Sequence, residues 1–155
     1  MTDIIVHFLK HEYVPLLRKL EPGTQPKWGK MDAQQMVEHM RDIFKLANGK
    51  FKVPLFNTDP DKLAKARSFL LGDHQFPQSV RVPVVPEEPR PHKYASIEEA
   101  IEKLEPEIEA VFGFYRDHPS ATLIHPMFGD LDYELQLLYL DKHARHHLRQ
   151  FGIAD

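Results

Sequence analysis

Apolar residues recur at helical spacing in four long stretches of the chain, and turn-forming residues separate them. Ile5, Phe8, Leu9, Leu16 and Leu17 predict a first helix over about 2–20. Pro15 predicts a kink or break inside it, and Glu21-Pro22-Gly23 ends it. A second helix begins near Met31 or Asp32, buries Met36, Met40, Ile43, Phe44 and Ala47, and stops at Asn48-Gly49. A short third helix follows Thr58-Asp59-Pro60, with Asp59 as cap and Pro60 in the first turn, and ends near Gly72. Ser96-Ile97-Glu98-Glu99 reads as a capping box. It opens a helix carrying Ile97, Ala100, Ile101, Leu104, Ile108, Val111 and Phe112, with Pro106 as a bend. A turn through His118-Pro119 and His125-Pro126-Met127-Phe128-Gly129 leads to a last helix over about 131–150, with Gly152 as its C-cap.

Strand patterns are nearly absent; Arg81-Val82 and Val84-Val85 are the only weak candidates. The stretch 76–91 holds five prolines, so no helix survives there. Its length predicts an ordered flap packed on the surface. The expected fold is all-α: a four-helix bundle with one short extra helix and a proline-rich ordered loop.

Composition narrows the function. A chain of 155 residues, 42% of them apolar, fits one domain over 1–155 with a real core. A net charge of −3 gives no reason to expect nucleic acid or an anionic membrane as partner. No cysteine is present, which excludes disulfides, zinc fingers, iron–sulfur clusters and a cysteine nucleophile. The first residues lack the apolar run of a signal peptide, and no stretch approaches the ~20 apolar residues of a membrane span, so the expected location is cytoplasmic.

Ten histidines change the picture. His143 and His147 are four apart in a strong helix, so both imidazoles lie on one face and can bind one ion. Gln136, Leu140 and Gln150 lie on or beside that face. His39 falls between Met36 and Ile43 of the buried stripe and points inward. Three neutral imidazoles suit Zn²⁺, Ni²⁺ or a similar ion and leave positions open to water or substrate. The alternative is a hydrogen-bonded core histidine and a chance pair. His146 points about 100° from His147 and reads as packing or solvent-facing, with ligation as the alternative. His7 and His11 read as surface residues, with a weak second site as the alternative. His74, His92 and His118 read as solvated. His125 reads as fixing its turn, or else as lining the site. Arg145 and Arg149 are exposed charges or a hold on an anionic substrate. The acidic residues between Glu98 and Glu109 read as a solvated face. Neither Glu38 nor Asp141 is well placed as a general base, and Gln35 is a candidate hydrogen-bond partner for a ligand.

His39 in the second helix together with His143-Ala144-Arg145-His146-His147 in the last resembles the DinB/YfiT-like superfamily. Further stretches resemble one branch of it: Trp28-Gly29-Lys30-Met31 with Gln34 to His39, Pro86-Glu87-Glu88-Pro89, His125 to Leu131, and His143 to Gly152. The resemblance implies a four-helix bundle, a metal triad of His39, His143 and His147, and frequently a homodimer. Relatives often carry Arg where this chain has His146. Characterised relatives include thiol-dependent transferases and isomerases using bacillithiol, mycothiol or glutathione; others are labelled metal-dependent hydrolases. The expected function is therefore divalent-metal-dependent chemistry on a small molecule, with Zn or Ni as metal and a low-molecular-weight thiol as cosubstrate. The alternative is a non-catalytic binding or stress-response module.

Overall fold

Polar caps set where the helices begin, and apolar stripes set how they pack. The computed structural model describes residues 2–78 and 88–154. It is mostly helical, with one two-stranded antiparallel ribbon.

The first helix, α1, has three segments: α-helical Thr2–His7, π-helical Phe8–Glu12 and α-helical Tyr13–Leu17. The break expected from Pro15 takes the form of that wider turn. It accommodates a residue that lacks an N–H and whose ring crowds the preceding turn. The second helix, α2, spans Ala33–Ala47. Asp32 caps it in a full capping box: its carboxylate accepts from the Gln35 N–H at 2.7 Å, and the Gln35 side chain accepts from the Asp32 N–H at 2.9 Å. The Gln35 amide also donates to the Arg90 carbonyl, so Gln35 serves the cap and does not reach the histidines as anticipated. His92 is not merely solvated; its ring bonds Asp32 at 2.6 Å.

The third helix, α3, spans Pro60–Leu71 between the Asp59 cap and Gly72, as its pattern predicts. The fourth, α4, spans Ile97–Asp117 and runs on through Pro106. Ser96 accepts from the Glu99 N–H, but the Glu99 carboxylate reaches the Ala95 N–H, one residue earlier than a closed capping box requires. Glu107 corrects the reading of a wholly solvated acidic face. It is buried and takes hydrogen bonds from the Asn48 amide at 3.0 Å and Lys50 at 2.8 Å.

The two strands, β1 (Leu123–His125) and β2 (Gly129–Leu131), form a hairpin where only a turn is legible in the sequence. The last helix, α5, therefore starts at Tyr133 rather than Leu131, with Asp132 as its cap, and runs to Gln150. Gly152 follows with φ +67°, the left-handed conformation that ends a helix. The Arg81-Val82 and Val84-Val85 strand candidates, and most of the 76–91 loop, lie outside the described residues.

α2 packs chiefly on α4, while α5 touches α1, α2 and α3. Met36, Met40 and Phe44 of α2, Leu104 and Val111 of α4, and Leu140, Ala144 and Leu148 of α5 share the core and are fully buried. Among the described residues, no helix is long and apolar enough to cross a membrane.

The cap at Asp32 orients the helix that carries His39. Asp32→Ala should destabilise the protein by about 1 kcal/mol, read as a lower urea midpoint with unchanged slope. An unchanged midpoint would show that the capping box contributes nothing.

Candidate metal centre

His39, His143 and His147, the residues expected to hold a metal, come together at one point and form a group that could hold an ion. α5 presents His143 and His147 one turn apart, and α2 presents His39 opposite them. His143 Nε2 lies 3.2 Å from His39 Nε2 and 3.1 Å from His147 Nε2. All three ligand nitrogens fall within 4.8 Å of one another. His147 is buried, and the other two are half-buried.

The outer ring nitrogens are held by partners. Gln150 donates its amide N–H to the Trp28 carbonyl at 2.9 Å, which fixes the amide orientation. Its oxygen then faces His147 Nδ1 at 2.7 Å. An amide oxygen only accepts, so Nδ1 carries the proton and Nε2 of His147 is a bare lone pair. Gly29 makes this approach possible: at φ +81°, a Cβ there would sit 2.9 Å from the Gln150 amide nitrogen. On the other side, the buried Tyr139 hydroxyl bonds His143 Nδ1 at 2.8 Å.

With Nε2 of His147 bare, three neutral imidazoles cannot give each inner contact its own hydrogen bond. If His143 Nε2 is bare, its contact with His147 sets lone pair against lone pair. If it is protonated, one hydrogen must serve two acceptors. A divalent cation resolves both contacts, because every Nε2 can then be a donor lone pair. Two imidazoles on a tetrahedral ion at about 2.0–2.1 Å would have nitrogens about 3.3 Å apart, close to the observed spacing.

Electrostatics favour the neutral, ligating form. Burial lowers the His39 pKa to about 4, with positive charge at His146 and Arg90 adding to the effect. Burial and then the neighbouring imidazoles hold His143 well below its ordinary range. His147 is likewise held well below by burial and His39, against the opposing pull of the Gln150 hydrogen bond.

The other candidates sort clearly. His125 fixes its turn: it is buried, and Nδ1 accepts from the Met127 and Phe128 N–H groups at 3.1 and 3.3 Å. Its ring packs against Tyr139, behind the triad, and burial lowers its pKa to about 4. His146 packs between Trp28, Phe76 and His147, outside the three-nitrogen cluster. His7 and His11 are exposed, with their rings 5.1 Å apart and tilted at 48° to each other. His74 and His118 are exposed. Gln136 points away, donating to the Tyr115 hydroxyl. Arg145 bonds Asp141 at 2.8 Å and lies over the Phe8 ring, so neither member of that pair serves the site. Glu38 accepts from Gln34 and from the Lys93 and Tyr94 N–H groups.

Sequence reasoning placed Gln150 beside the ligand face without a role, and it missed Tyr139. The available signal was spacing: Tyr139 stands four before His143 and Gln150 three after His147, on the same helix face.

A cleft of about 420 Å³ adjoins the triad, with the rings of Phe76 and His146 shared between the two. Lys142 holds the segment leading to Phe76 against α5, donating to the Gly72 and His74 carbonyls at 2.7 Å each. No protein-family model matches the chain, and no curated protein or solved structure matches it.

The depressed histidines make a pH prediction for the metal-free protein. Unfolded imidazoles take up protons near pH 6.5, whereas folded His39 and His125 resist until about pH 4. Protons therefore favour the unfolded state in that window. Stability should be independent of these groups above about pH 6.5 and fall progressively toward about pH 4. Thermal melts across this range should show the decline beginning above the carboxylate range. A midpoint that is flat down to about pH 5 would contradict the assignment.

Proposed function

We propose that the chain is a DinB/YfiT-like four-helix bundle, formed by α1, α2, α4 and α5, that holds a divalent ion on His39, His143 and His147. We propose further that it uses the ion for thiol-dependent transfer on a small molecule. The observation that carries the metal reading is the convergence of three Nε2 atoms with the His147 tautomer set by Gln150. Zn²⁺ and Ni²⁺ suit this nitrogen set best.

A divalent ion held by His39, His143 and His147 would lower the pKa of a bound thiol or water and so supply a nucleophile near neutral pH. The protein's own groups do the rest. Gln150 keeps the proton of His147 on Nδ1, and Tyr139 holds the His143 ring from behind. Asp141 and Glu38 are committed to Arg145 and to the backbone at 93–94. Among the described residues, no carboxylate joins the three-histidine group. That favours a thiol, which ionises more readily than water and needs no carboxylate to move a proton during hydrolysis.

One observation favours a second reading, a binding or stress-response module with a structural metal: none of the three ligands lines the cleft. Cobalt substitution separates the two. Adding a small thiol should change the cobalt absorption spectrum if the ion has an open position, and leave it unchanged if the ion is sealed.

Metal content by mass spectrometry tests the site itself. Wild-type protein should carry near-stoichiometric metal, and His143→Ala should lose it. Gln150→Leu keeps every ligand but removes the acceptor for His147; it should weaken metal affinity by about 10–100-fold in a competition titration. Wild-type protein without metal, even after reconstitution, would remove the reading.

A further inference from the structure

The first helix, α1, carries a second histidine pair, and the turn on which it lies is not α-helical. An α-helix rotates by about 100° per residue, so a residue and its fifth successor lie about 140° apart around the axis. Over Phe8–Glu12 the backbone is π-helical, and the Tyr13 N–H reaches back five residues to the Phe8 carbonyl. That wider turn brings Glu12 round to the side of His7, with Oε2 3.8 Å from His7 Nε2. His11, four residues after His7, shares that side. Two imidazoles and a carboxylate thus meet on one exposed turn.

Their spacing is that of ligands. The His7 and His11 ring centroids stand 5.1 Å apart, against 5.2, 5.1 and 4.9 Å for the three ring pairs of the buried triad. The 3.8 Å between His7 and Glu12 is too long for a hydrogen bond and about half an ångström beyond the spacing of two donors on one ion. The three donor atoms do not all fall within 4.8 Å of one another, as those of the triad do. Side-chain rotation closes that difference, because His7 and Glu12 keep 66% and 52% of their side-chain surface in solvent. Lys10, the nearest cation in sequence, is turned over the Phe112 ring at 4.6 Å. Among the described residues, Glu12 makes no other ion pair.

We infer that His7, His11 and Glu12 form a second metal site, for a first-row divalent ion such as Cu²⁺ or Ni²⁺. Two imidazole nitrogens and a carboxylate oxygen suit these ions, and Cu²⁺ stands highest in the affinity order. The site is weaker than the triad, because it offers two imidazoles in place of three and must order exposed side chains. It fills when the ion is supplied, whether or not the triad holds metal.

The test uses the full chain and Cu²⁺ alone, with equilibrium dialysis counting the ions bound and native circular dichroism required of every variant. His7→Gln and His11→Gln should each remove one ion from the wild-type count. Glu12→Gln should weaken that ion by about tenfold, the least that loss of even an outer partner costs a metal site. His118→Gln, which removes an isolated exposed histidine, should change nothing. The copper lost in His7→Gln should show electron paramagnetic resonance coupling to two imidazole nitrogens. An equal count in wild type and His7→Gln, an equal loss in His118→Gln, or coupling to fewer than two nitrogens would overturn the inference. The same titration separates the two metal sites. A wild-type ion lost in His7→Gln and kept in His143→Ala supports the second site even if the triad binds nothing. An ion lost only in His143→Ala overturns the second site alone.

Discussion

Three imidazole nitrogens facing one another about 3 Å apart, one of them stripped of its proton by an amide oxygen, form the constraint on which this structure turns. Burial makes protonation costly, so the rings stay neutral. Neutral rings so arranged cannot share the available hydrogens evenly. A cation is the one addition that uses every inner lone pair. The arrangement therefore concentrates unmet donor capacity at a single point, and that is what distinguishes it from a set of core histidines.

Holding that point requires distant parts of the chain. Gln150 can orient His147 only because the Trp28 carbonyl takes its N–H, and Trp28 can approach only because Gly29 has no side chain and turns at positive φ. His39 is brought in by α2, whose start is set by Asp32 and whose body is buried along Met36, Met40 and Phe44. The same Trp28 that supports the ligand from behind also walls the adjoining cleft. One short segment, 27–29, thus links the geometry of the histidine cluster to the wall of the adjoining cleft.

Much of this was legible in the sequence, for physical reasons. His143 and His147 share a face because the helix repeats every 3.6 residues, and His39 points inward because it sits within an apolar stripe. Helix existence followed from periodicity, and Asp59, Pro60 and Gly152 marked real ends. What stayed hidden depends on contacts far along the chain. The hairpin has three residues per strand, too few for alternation to register. Glu107 looks like its exposed neighbours until Asn48 and Lys50 arrive beside it. The roles of Gln35 and His92 depend on Asp32 and Arg90, and the role of Gln150 depends on a carbonyl 122 positions away.

The most direct measurement is X-ray absorption spectroscopy of the protein loaded with Zn²⁺ or Ni²⁺. Three imidazole rings should appear in the first coordination shell, recognisable by their multiple scattering, at about 2.0–2.1 Å for Zn²⁺, with the remaining positions filled by exchangeable oxygen, nitrogen or thiol ligands. A shell with one imidazole or none, or one built from oxygen alone, would contradict the claim that His39, His143 and His147 hold the ion.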